Sequence, residues 1–139
     1  MFGVLDISAS ALAAQRTRLD VIAGNVAGAF TTRDADGRPN PYQRRVAILA
    51  PGNPAAGPNA RGVHVQQIAL DPTPFRKKWD PDHVDAIKTG PDTGYVRLPN
   101  VQLSTEMIDA IEAARAYEAN VTVMEVTKTM AAASLRMLA

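Results

Sequence analysis

The residues best suited to chemistry in this chain lie between Asp80 and Asp85, in the order Asp-Pro-Asp-His-Val-Asp. Carboxylates and an imidazole this close together could hold a divalent cation, and a bound cation could activate water for hydrolysis. The spacing does not match an EF-hand loop, because Asp85 stands where glycine is needed and Pro91 where glutamate is needed. Aspartates in such stretches more often form turns by bonding their own backbone. The sequence therefore favours a solvated turn over an ion site.

The other candidate groups point away from catalysis. His64 lies on a predicted strand with no acid or nucleophile near it in sequence, which favours a structural role. No serine belongs to a nucleophile elbow, and the glycines at 24 and 28 end a helix instead of starting a phosphate loop. The chain has no cysteine, which excludes disulfides, thiolate zinc sites and a cysteine nucleophile. We predict no enzyme, no catalytic residue, no cofactor and no metal.

The stretch from Asn100 to Ala139 is the long run without glycine or proline, and it predicts one continuous helix. Such a helix is roughly 50 Å long, whereas a domain of this chain's size is only about 30 Å across. Asn100 is the predicted cap, with Ser104 as the later choice. All but one of the residues at two heptad positions are apolar or aromatic, which predicts a coiled-coil seam. These positions hold Leu103, Met107, Ala110, Ala114, Tyr117, Val121, Met124, Lys128, Ala131, Leu135 and Leu138.

The first thirty residues carry a thinner stripe of the same kind. A heptad-spaced apolar line runs along them, formed by Leu5, Leu12, Leu19 and Val26, with Ile22 between. It predicts a helix from Ile7 to Ala27, capped by Asp6 or Ser8 and closed by Gly28 in the left-handed conformation. This helix could pack on its own domain, but heptads at both ends of the chain favour pairing with the C-terminal helix.

The middle of the chain predicts a small, loop-rich antiparallel β region. The predicted strands run from Tyr42 to Ala50, Val63 to Leu70, Phe75 to Trp79 and Thr93 to Leu98, and Pro51 to Pro58 is a predicted loop. The fold class is thus α+β, with two terminal helices forming an antiparallel coiled-coil-like stalk around this region. The predicted units are residues 1–30, 31–99 and 100–139.

The composition limits the classes of partner that we expect. The net charge is +1, and the longest basic run, Arg76 to Lys78, is answered by nearby aspartates, so neither nucleic acid nor an acidic membrane is expected. No apolar run reaches the ~18 residues of a membrane span. The residues from Met1 to Asp6 lack the basic start of a cleaved secretory signal. If the protein leaves the cytosol, we expect it to use another route.

Apolar residues also lie off the seam of the long helix, at Ile108, Ile111, Val123, Val126, Met130 and Met137. A two-helix hairpin buries one seam only, so the surplus predicts further helices supplied by other subunits. Lys128 on the seam could face a carboxylate of such a neighbour. The predicted assembly interface consists of Leu5, Leu12, Leu19, Ile22, Val26, Met107, Ile111, Ala114, Tyr117, Val121, Met124, Lys128, Leu135 and Leu138.

Several segments resemble the bacterial flagellar rod and hook proteins. They are Asp6 to Arg16, Arg18 to Ala27, Thr31 to Arg33, Tyr42 to Arg45, Gly94 to Val96, Pro99 to Val101, Glu106 to Asp109, Arg115 to Val121 and Lys128 to Met130. The short length and the block of Asp80 and Pro81 with His83 are similar to the C-type flagellar basal-body rod proteins, which are proximal-rod subunits. The chain departs from the family where Gly24 and Gly28 replace asparagines and Val84 replaces a proline.

The resemblance implies that both terminal helices lie in an inner coiled-coil layer, with the β region outside. It implies helical stacking into a hollow drive shaft that passes exported subunits, crosses the periplasm and transmits torque to the hook and filament. Export would use the flagellar type III apparatus, without a cleaved signal. The implied partners are other proximal-rod proteins, the distal rod, the membrane-embedded ring and export gate, and copies of the chain itself.

Two rival functions remain open from the residues alone. One is a binding module in which a small β domain sits on a homodimeric coiled coil, and it predicts a soluble dimer of defined mass. The other is a small hydrolase acting on the cell wall, which would need a metal or an acid pair between Asp80 and Asp85.

Overall fold

Two helices at the ends of the chain enclose four short strands in the computed structural model, which describes residues 2–52 and 61–138. The elements in chain order are α1 (Phe2–Gly28), β1 (Arg45–Pro51), β2 (Val63–Leu70), β3 (Arg76–Trp79), β4 (Tyr95–Leu98) and α2 (Leu103–Leu138). The α+β class and all six predicted elements are therefore confirmed. Of the predicted loop between β1 and β2, residues 53–58 lie outside the described part of the chain.

Helix α1 begins five residues before its predicted start, so the predicted caps are wrong. Asp6 and Ser8 lie inside the helix, and Ser8 is buried there. Gly3 is the only weak helix former ahead of them, and it stands in open space where nothing opposes the helix. Gly28 ends the helix but does not adopt the left-handed conformation. Its lack of a side chain instead leaves room for the ring of Tyr42.

Helix α2 begins three residues after the predicted cap, Asn100. That prediction is wrong because the Asn100 carboxamide is engaged elsewhere. Its Oδ1 accepts the backbone N–H of Arg44 at 2.7 Å, and its Nδ2 donates to the carbonyls of Asp71 and Thr73 at 3.2 and 3.0 Å. Asn100 therefore ties the approach to α2 to the ends of β1 and β2. The first-turn amide of Glu106 donates to the Gln102 carbonyl.

The two helices form an antiparallel hairpin. Asn25 near the end of α1 meets Glu106 near the start of α2, and Arg18, earlier on α1, reaches Asp109 and Glu112, farther along α2. Because α2 has 36 residues and α1 has 27, the end of α2 extends beyond the start of α1. No helix within the described residues has a stretch long and apolar enough to cross a membrane.

The face of α2 that lies against α1 can be followed by burial. Buried or half-buried residues recur at alternating spacings of four and three, at Glu106, Ala110, Ala113, Tyr117, Asn120, Met124, Thr127, Ala131 and Ser134. The predicted seam shares one heptad position with this face, the one that includes Ala110, Tyr117 and Met124. At the other heptad position, each residue that α1 covers comes one residue before the predicted one in the sequence. The predicted line from Met107 to Leu135 therefore lies beside the face that contacts α1.

The strands form two separate antiparallel ribbons. Strands β1 and β2 pair from Arg45↔Leu70 to Pro51↔Val63, with a register shift between Ile48 and Leu49. This ribbon packs on α1, where the Ser10 hydroxyl accepts the Val63 N–H at 3.1 Å. Strands β3 and β4 form the second ribbon, and it ends in an edge-to-face pair of Trp79 and Tyr95 with ring centroids 5.0 Å apart.

The hydrophobic core is small and lies at one end of the hairpin. The buried apolar residues among those described are Ala14, Ile22, Ala29, Val96, Val101 and Ala113. None of them belongs to residues 2–13 or to residues 114–138, which form the far half of the hairpin. The end of the hairpin near the strands is therefore anchored by a core, whereas the far half relies on helix pairing without buried apolar residues.

Candidate functional site

A buried carboxylate joins the two helices to the segment that enters β1, at the end of the hairpin that the core anchors. Glu106, in the first turns of α2, is completely buried. Its Oε1 accepts a 2.6 Å hydrogen bond from Nε of Arg44, and its Oε2 accepts a 3.0 Å bond from Nδ2 of Asn25. A charge taken out of water must be paired and hydrogen-bonded to be tolerated, and both conditions are met here. Glu106 thereby links α2 to α1 and to the segment that enters β1.

Arg44 holds three acidic groups, two from α2 and one from the segment after β2. Besides Glu106, its guanidinium contacts Oδ2 of Asp71 and Oδ2 of Asp109, each at 3.2 Å. Burial by itself lowers the pKa of Arg44, but the hydrogen bonds and charges of Glu106 and Asp71 outweigh it and raise the pKa above its ordinary value. The guanidinium is therefore a permanent cation at this junction. Its fixed fork suits several carboxylates better than a lysine would.

Asn25 completes the junction from the α1 side. Its Oδ1 accepts the backbone N–H of Arg45 at 2.9 Å and the hydroxyl of Tyr42 at 3.2 Å. Its Nδ2 donates to the Arg45 carbonyl at 2.8 Å in addition to Glu106. A single carboxamide thus pairs with the backbone of β1 much as a neighbouring strand would, and it fixes the last turn of α1 to that strand.

The tyrosine that binds Asn25 lies across two glycines of α1, Gly24 and Gly28. A Cβ at Gly28 would stand 2.5 Å from Cγ of Tyr42, and a Cβ at Gly24 would stand 3.7 Å from the Tyr42 hydroxyl. The ring therefore needs glycine at position 28 in order to lie this close to α1. This contact explains why Gly28 serves the helix end without adopting a left-handed conformation.

Asp71 connects the β1–β2 ribbon to the same junction. Hydrogen bonds from the Thr73 backbone and hydroxyl lower the pKa of Asp71, against the opposing effect of burial, and Arg44 lowers it further. Its carboxylate is therefore held in the charged form that Arg44 requires.

The acidic segment 80–85 forms a turn, and its last carboxylate, that of Asp85, binds the loop between α1 and β1. Asp85 accepts hydrogen bonds from Nε of Arg33 at 2.8 Å and from the Thr32 hydroxyl at 2.9 Å. The bond from Arg33 is the main cause that lowers the pKa of Asp85. Nδ1 of His83 accepts the Asp85 backbone N–H at 3.0 Å. Among the described residues, no group of three or more histidines, cysteines or acids is arranged to hold a metal ion.

His64 has a structural contact of the kind that its sequence context favours. Its Nδ1 lies 2.9 Å from the Gly52 carbonyl, at the end of the β1–β2 ribbon. This contact joins the strand that carries His64 to the residue that follows β1.

A cleft of about 310 Å³ opens over the polar junction. Its wall includes Arg18, Ile22, Arg44, Glu106 and Asp109. The charged groups around it bind one another: Arg44 contacts Glu106 and Asp109, and Arg18 lies 3.6 Å from Asp109. Such an arrangement fixes two helices and a strand to one another, and it presents no activated nucleophile.

The predicted assembly residues divide into covered and exposed groups. Ile22 is buried, and the half-buried members are Leu5, Leu12, Leu19, Ala114, Tyr117, Val121 and Met124. The exposed members are Val26, Met107, Ile111, Lys128 and Leu135. The side chain of Leu138 lies outside the described part. Met107, Ile111 and Leu135 are 54% to 69% exposed, so the isolated chain leaves much of this predicted surface open to solvent.

The sequence reasoning missed the junction of Asn25, Arg44 and Glu106. The heptad pattern emphasised apolar residues, and Glu106 precedes the predicted line that begins at Met107 by one residue. One signal was available in the sequence: Glu106 shares a heptad position with Ala113, on the face that α1 covers. Its partner on α1 could not be identified without the three-dimensional arrangement.

Two family models match the two ends of the chain. Residues 5–33 match "Flagella basal body rod protein", and residues 92–137 match "Flagellar basal body rod FlgEFG protein C-terminal". Together these matches contain Asn25 and Glu106, the two helical members of the junction.

Relatives of similar length match nearly the whole chain. A flagellar basal-body rod protein FlgC of Borreliella burgdorferi is 42% identical, over 99% of this chain and 97% of the relative. Relatives of the same name from Bacillus subtilis and Salmonella typhimurium are 39% and 33% identical, over 93% and 94% of this chain and 92% of each relative.

Proposed function

Since the chain belongs to the FlgC family of flagellar basal-body rod proteins, we propose here how it serves the rod. It is a structural subunit of the proximal rod of the flagellar basal body. The observation that carries this conclusion is the 42% identity that extends over almost the full length of both chains. The relatives are structural rod proteins, and no enzymatic family is indicated.

In this proposal the two helices are the assembly elements. Residues 1–30 and 100–139 form an inner coiled-coil layer of the tube, and residues 31–99 lie outside it. Support comes from the apolar side chains of α2 that are exposed to water in the isolated chain, including Met107, Met130 and Leu135. The polar junction would then set the angle at which the strands stand on the helices, because it fixes α1, β1 and α2 together.

The free subunit has a hairpin whose far half folds fully only on incorporation. Residues 2–13 and 114–138 contain no buried apolar residue among those described. Helix pairing alone is marginal in water without apolar burial, so these ends fray until neighbouring helices cover them. Circular dichroism of the monomer should give less helix than α1 and α2 together. Full helix content in a free monomer would contradict this point.

The assembly we propose is a helical, hollow shaft that passes exported subunits and transmits torque. Head-to-tail contacts with an unclosed rotation generate such a tube. The neighbours would be other proximal-rod and distal-rod proteins, the membrane ring and export gate, and further copies of the chain. The site would be the periplasm-spanning rod, reached through the flagellar export apparatus without a cleaved signal. Family membership supports these assignments.

A deletion strain of the bacterium that produces this protein tests the function. Loss of the chain should abolish motility and basal-body rods, and the reintroduced wild-type chain should restore both and co-fractionate with basal bodies. A motile deletion strain, or a chain found only as a soluble dimer of defined mass, would favour the homodimeric binding module instead.

A further inference from the structure

Helix α1 and the ribbon of β1 and β2 are attached to each other at both ends of the ribbon. Where β1 begins, the Asn25 carboxamide bonds the N–H and the carbonyl of Arg45 at 2.9 and 2.8 Å. Where β2 begins, the Ser10 hydroxyl accepts the Val63 N–H at 3.1 Å. The two attachments are about 22 Å apart along α1 and about 20 Å apart along the ribbon, so the ribbon lies along the helix.

The contact at Ser10 depends on matched donors and acceptors. The Gly52 N–H donates to the Gly62 carbonyl, so the next ladder position, Val63, directs its N–H away from β1 and toward α1. The Ser10 hydroxyl donates to the Ile7 carbonyl at 2.7 Å, which leaves its lone pairs to accept that N–H. A Cβ at Gly62 would stand 2.5 Å from the Ser10 Oγ, so glycine is needed for this approach. We call this contact of Ser10 with residues 62 and 63 the Ser10 latch.

Two clefts interrupt the packing between α1 and the ribbon. One, of about 230 Å³, lies next to the Ser10 latch and is lined by Ala13 and Thr17 of α1 and by Val65 of β2. The other is the cleft of about 310 Å³ over the polar junction, whose lining also includes Val21 of α1 and Val46 of β1. The orientation of the ribbon therefore depends on its two end contacts. A ribbon attached at one end is free to pivot there, whereas attachment at both ends prevents this motion.

Helix α2 is attached differently. Its ion pairs with the segment that enters β1 come from Glu106 and Asp109, in its first two turns. Within the described part of the chain, no hydrogen bond or ion pair joins residues 110–138 to a strand. The ribbon therefore braces α1 along its length, whereas α2 is held near one end.

We propose that Ser10 is a positioning residue, which together with Asn25 holds the ribbon along α1 so that the helix and the ribbon carry load in the rod as one rigid body. The load-bearing role rests on the proposed function, whereas the latch belongs to the isolated chain. The latch opens whenever the start of α1 frays, and its closure limits that fraying. A hydroxyl that served the helix alone would have the opposite effect, because alanine is the better helix former.

Amide hydrogen exchange in the full-length free chain tests the latch. In Ser10→Ala the Val63 amide should exchange at least about fivefold faster, the factor that corresponds to one ordinary hydrogen bond. Ser10→Thr keeps a hydroxyl that can bond the Ile7 carbonyl and should restore the slower rate. A Val63 amide that exchanges equally fast or more slowly in Ser10→Ala, or that is unprotected in the wild type, would overturn the proposal.

The matched control is Thr17→Ala, on the same helix. The Thr17 hydroxyl donates to the Ala13 carbonyl at 3.1 Å, a bond within the helix like that of Ser10 to Ile7, and in the described residues it makes no bond to the ribbon. We expect its removal to leave the exchange rate of the Val63 amide unchanged. A rise equal to that of Ser10→Ala would assign the effect to helix stability and would overturn the latch.

Swimming under viscous load tests the use of the latch in the rod. The deletion strain expressing Ser10→Ala should lose more speed than the wild-type strain as the medium is thickened, whereas Ser10→Thr and Thr17→Ala should follow the wild type. If the wild-type chain does not restore motility, the proposed function fails and the load-bearing role fails with it, while exchange at Val63 still decides the latch. If it does restore motility, and Ser10→Ala follows the wild type at every viscosity, the proposed function stands and the load-bearing role is overturned.

Discussion

Removing the cation from the polar junction is the most informative perturbation of the fold. Arg44→Met keeps a long side chain but leaves the fully buried carboxylate of Glu106 with Asn25 as its remaining side-chain donor. Breaking a buried pair in this way costs about 3–5 kcal/mol. We expect the lower end, about 3 kcal/mol, because the Asn25 bond remains and the Arg44 side chain is 20% exposed. Its contacts with more exposed carboxylates add little.

A double-mutant cycle isolates the charge from the general loss of packing. In a Glu106→Gln background no buried charge is left behind, so adding Arg44→Met should cost only about 1 kcal/mol, the value of an ordinary hydrogen bond. The coupling energy between the two positions is then about 2 kcal/mol. Urea unfolding of the four chains, followed by the fluorescence of Trp79, the single tryptophan, gives the free energies of unfolding.

Two results of the cycle would contradict this role of Arg44. If Arg44→Met costs the same in both backgrounds, the buried charge of Glu106 does not depend on Arg44 and the junction is not what holds the hairpin to the strands. A loss below about 1 kcal/mol in the wild-type background would lead to the same conclusion.

Three further perturbations follow from individual contacts. The guanidinium bound to Asp85 lowers its pKa, so the charged form contributes stability above its ordinary pKa of 3.8 that is lost as the pH falls below that value; thermal unfolding of Asp85→Asn in acid should therefore depend less on pH, and an unchanged dependence would contradict the assignment. Gly28→Ala places a methyl group on the Tyr42 ring and should cost about 1–3 kcal/mol, measured by urea unfolding, whereas Gly3→Ala in open space should cost nothing; equal midpoints would refute the close contact. Val121→Asp places an unpaired charge in the proposed assembly interface and should abolish incorporation into basal bodies, an expectation that normal motility of the variant would contradict.

The elements of this fold follow from local features of the sequence. A run without glycine or proline gives α2, and alternating apolar residues give β2 with the bounds that the pattern predicts, Val63–Leu70. The caps were mispredicted because local propensity does not reveal competing contacts. Asn100 is a good cap by type, but a strand amide and two carbonyls engage its side chain. Gly28 likewise was read for its backbone freedom, when the structure uses the space above it for Tyr42.

The polar junction shows where sequence reasoning ends. Asn25 and Glu106 are 81 residues apart, and neither has a neighbour in sequence that requires the other. Only the antiparallel hairpin brings them together, and only the entry into β1 brings Arg44 between the helices. The surplus of apolar residues on α2 was visible from the sequence, but which of them stay exposed depends on the face that α1 covers.

The central claim is that the helices form the inner layer of a rod assembled from this subunit. An image reconstruction of basal bodies from the bacterium that produces it, with helices resolved, tests this claim most directly. We expect α1 and α2 in the inner wall and the strands outside. A rod in which residues 31–99 line the channel, or in which the chain is absent, would contradict it.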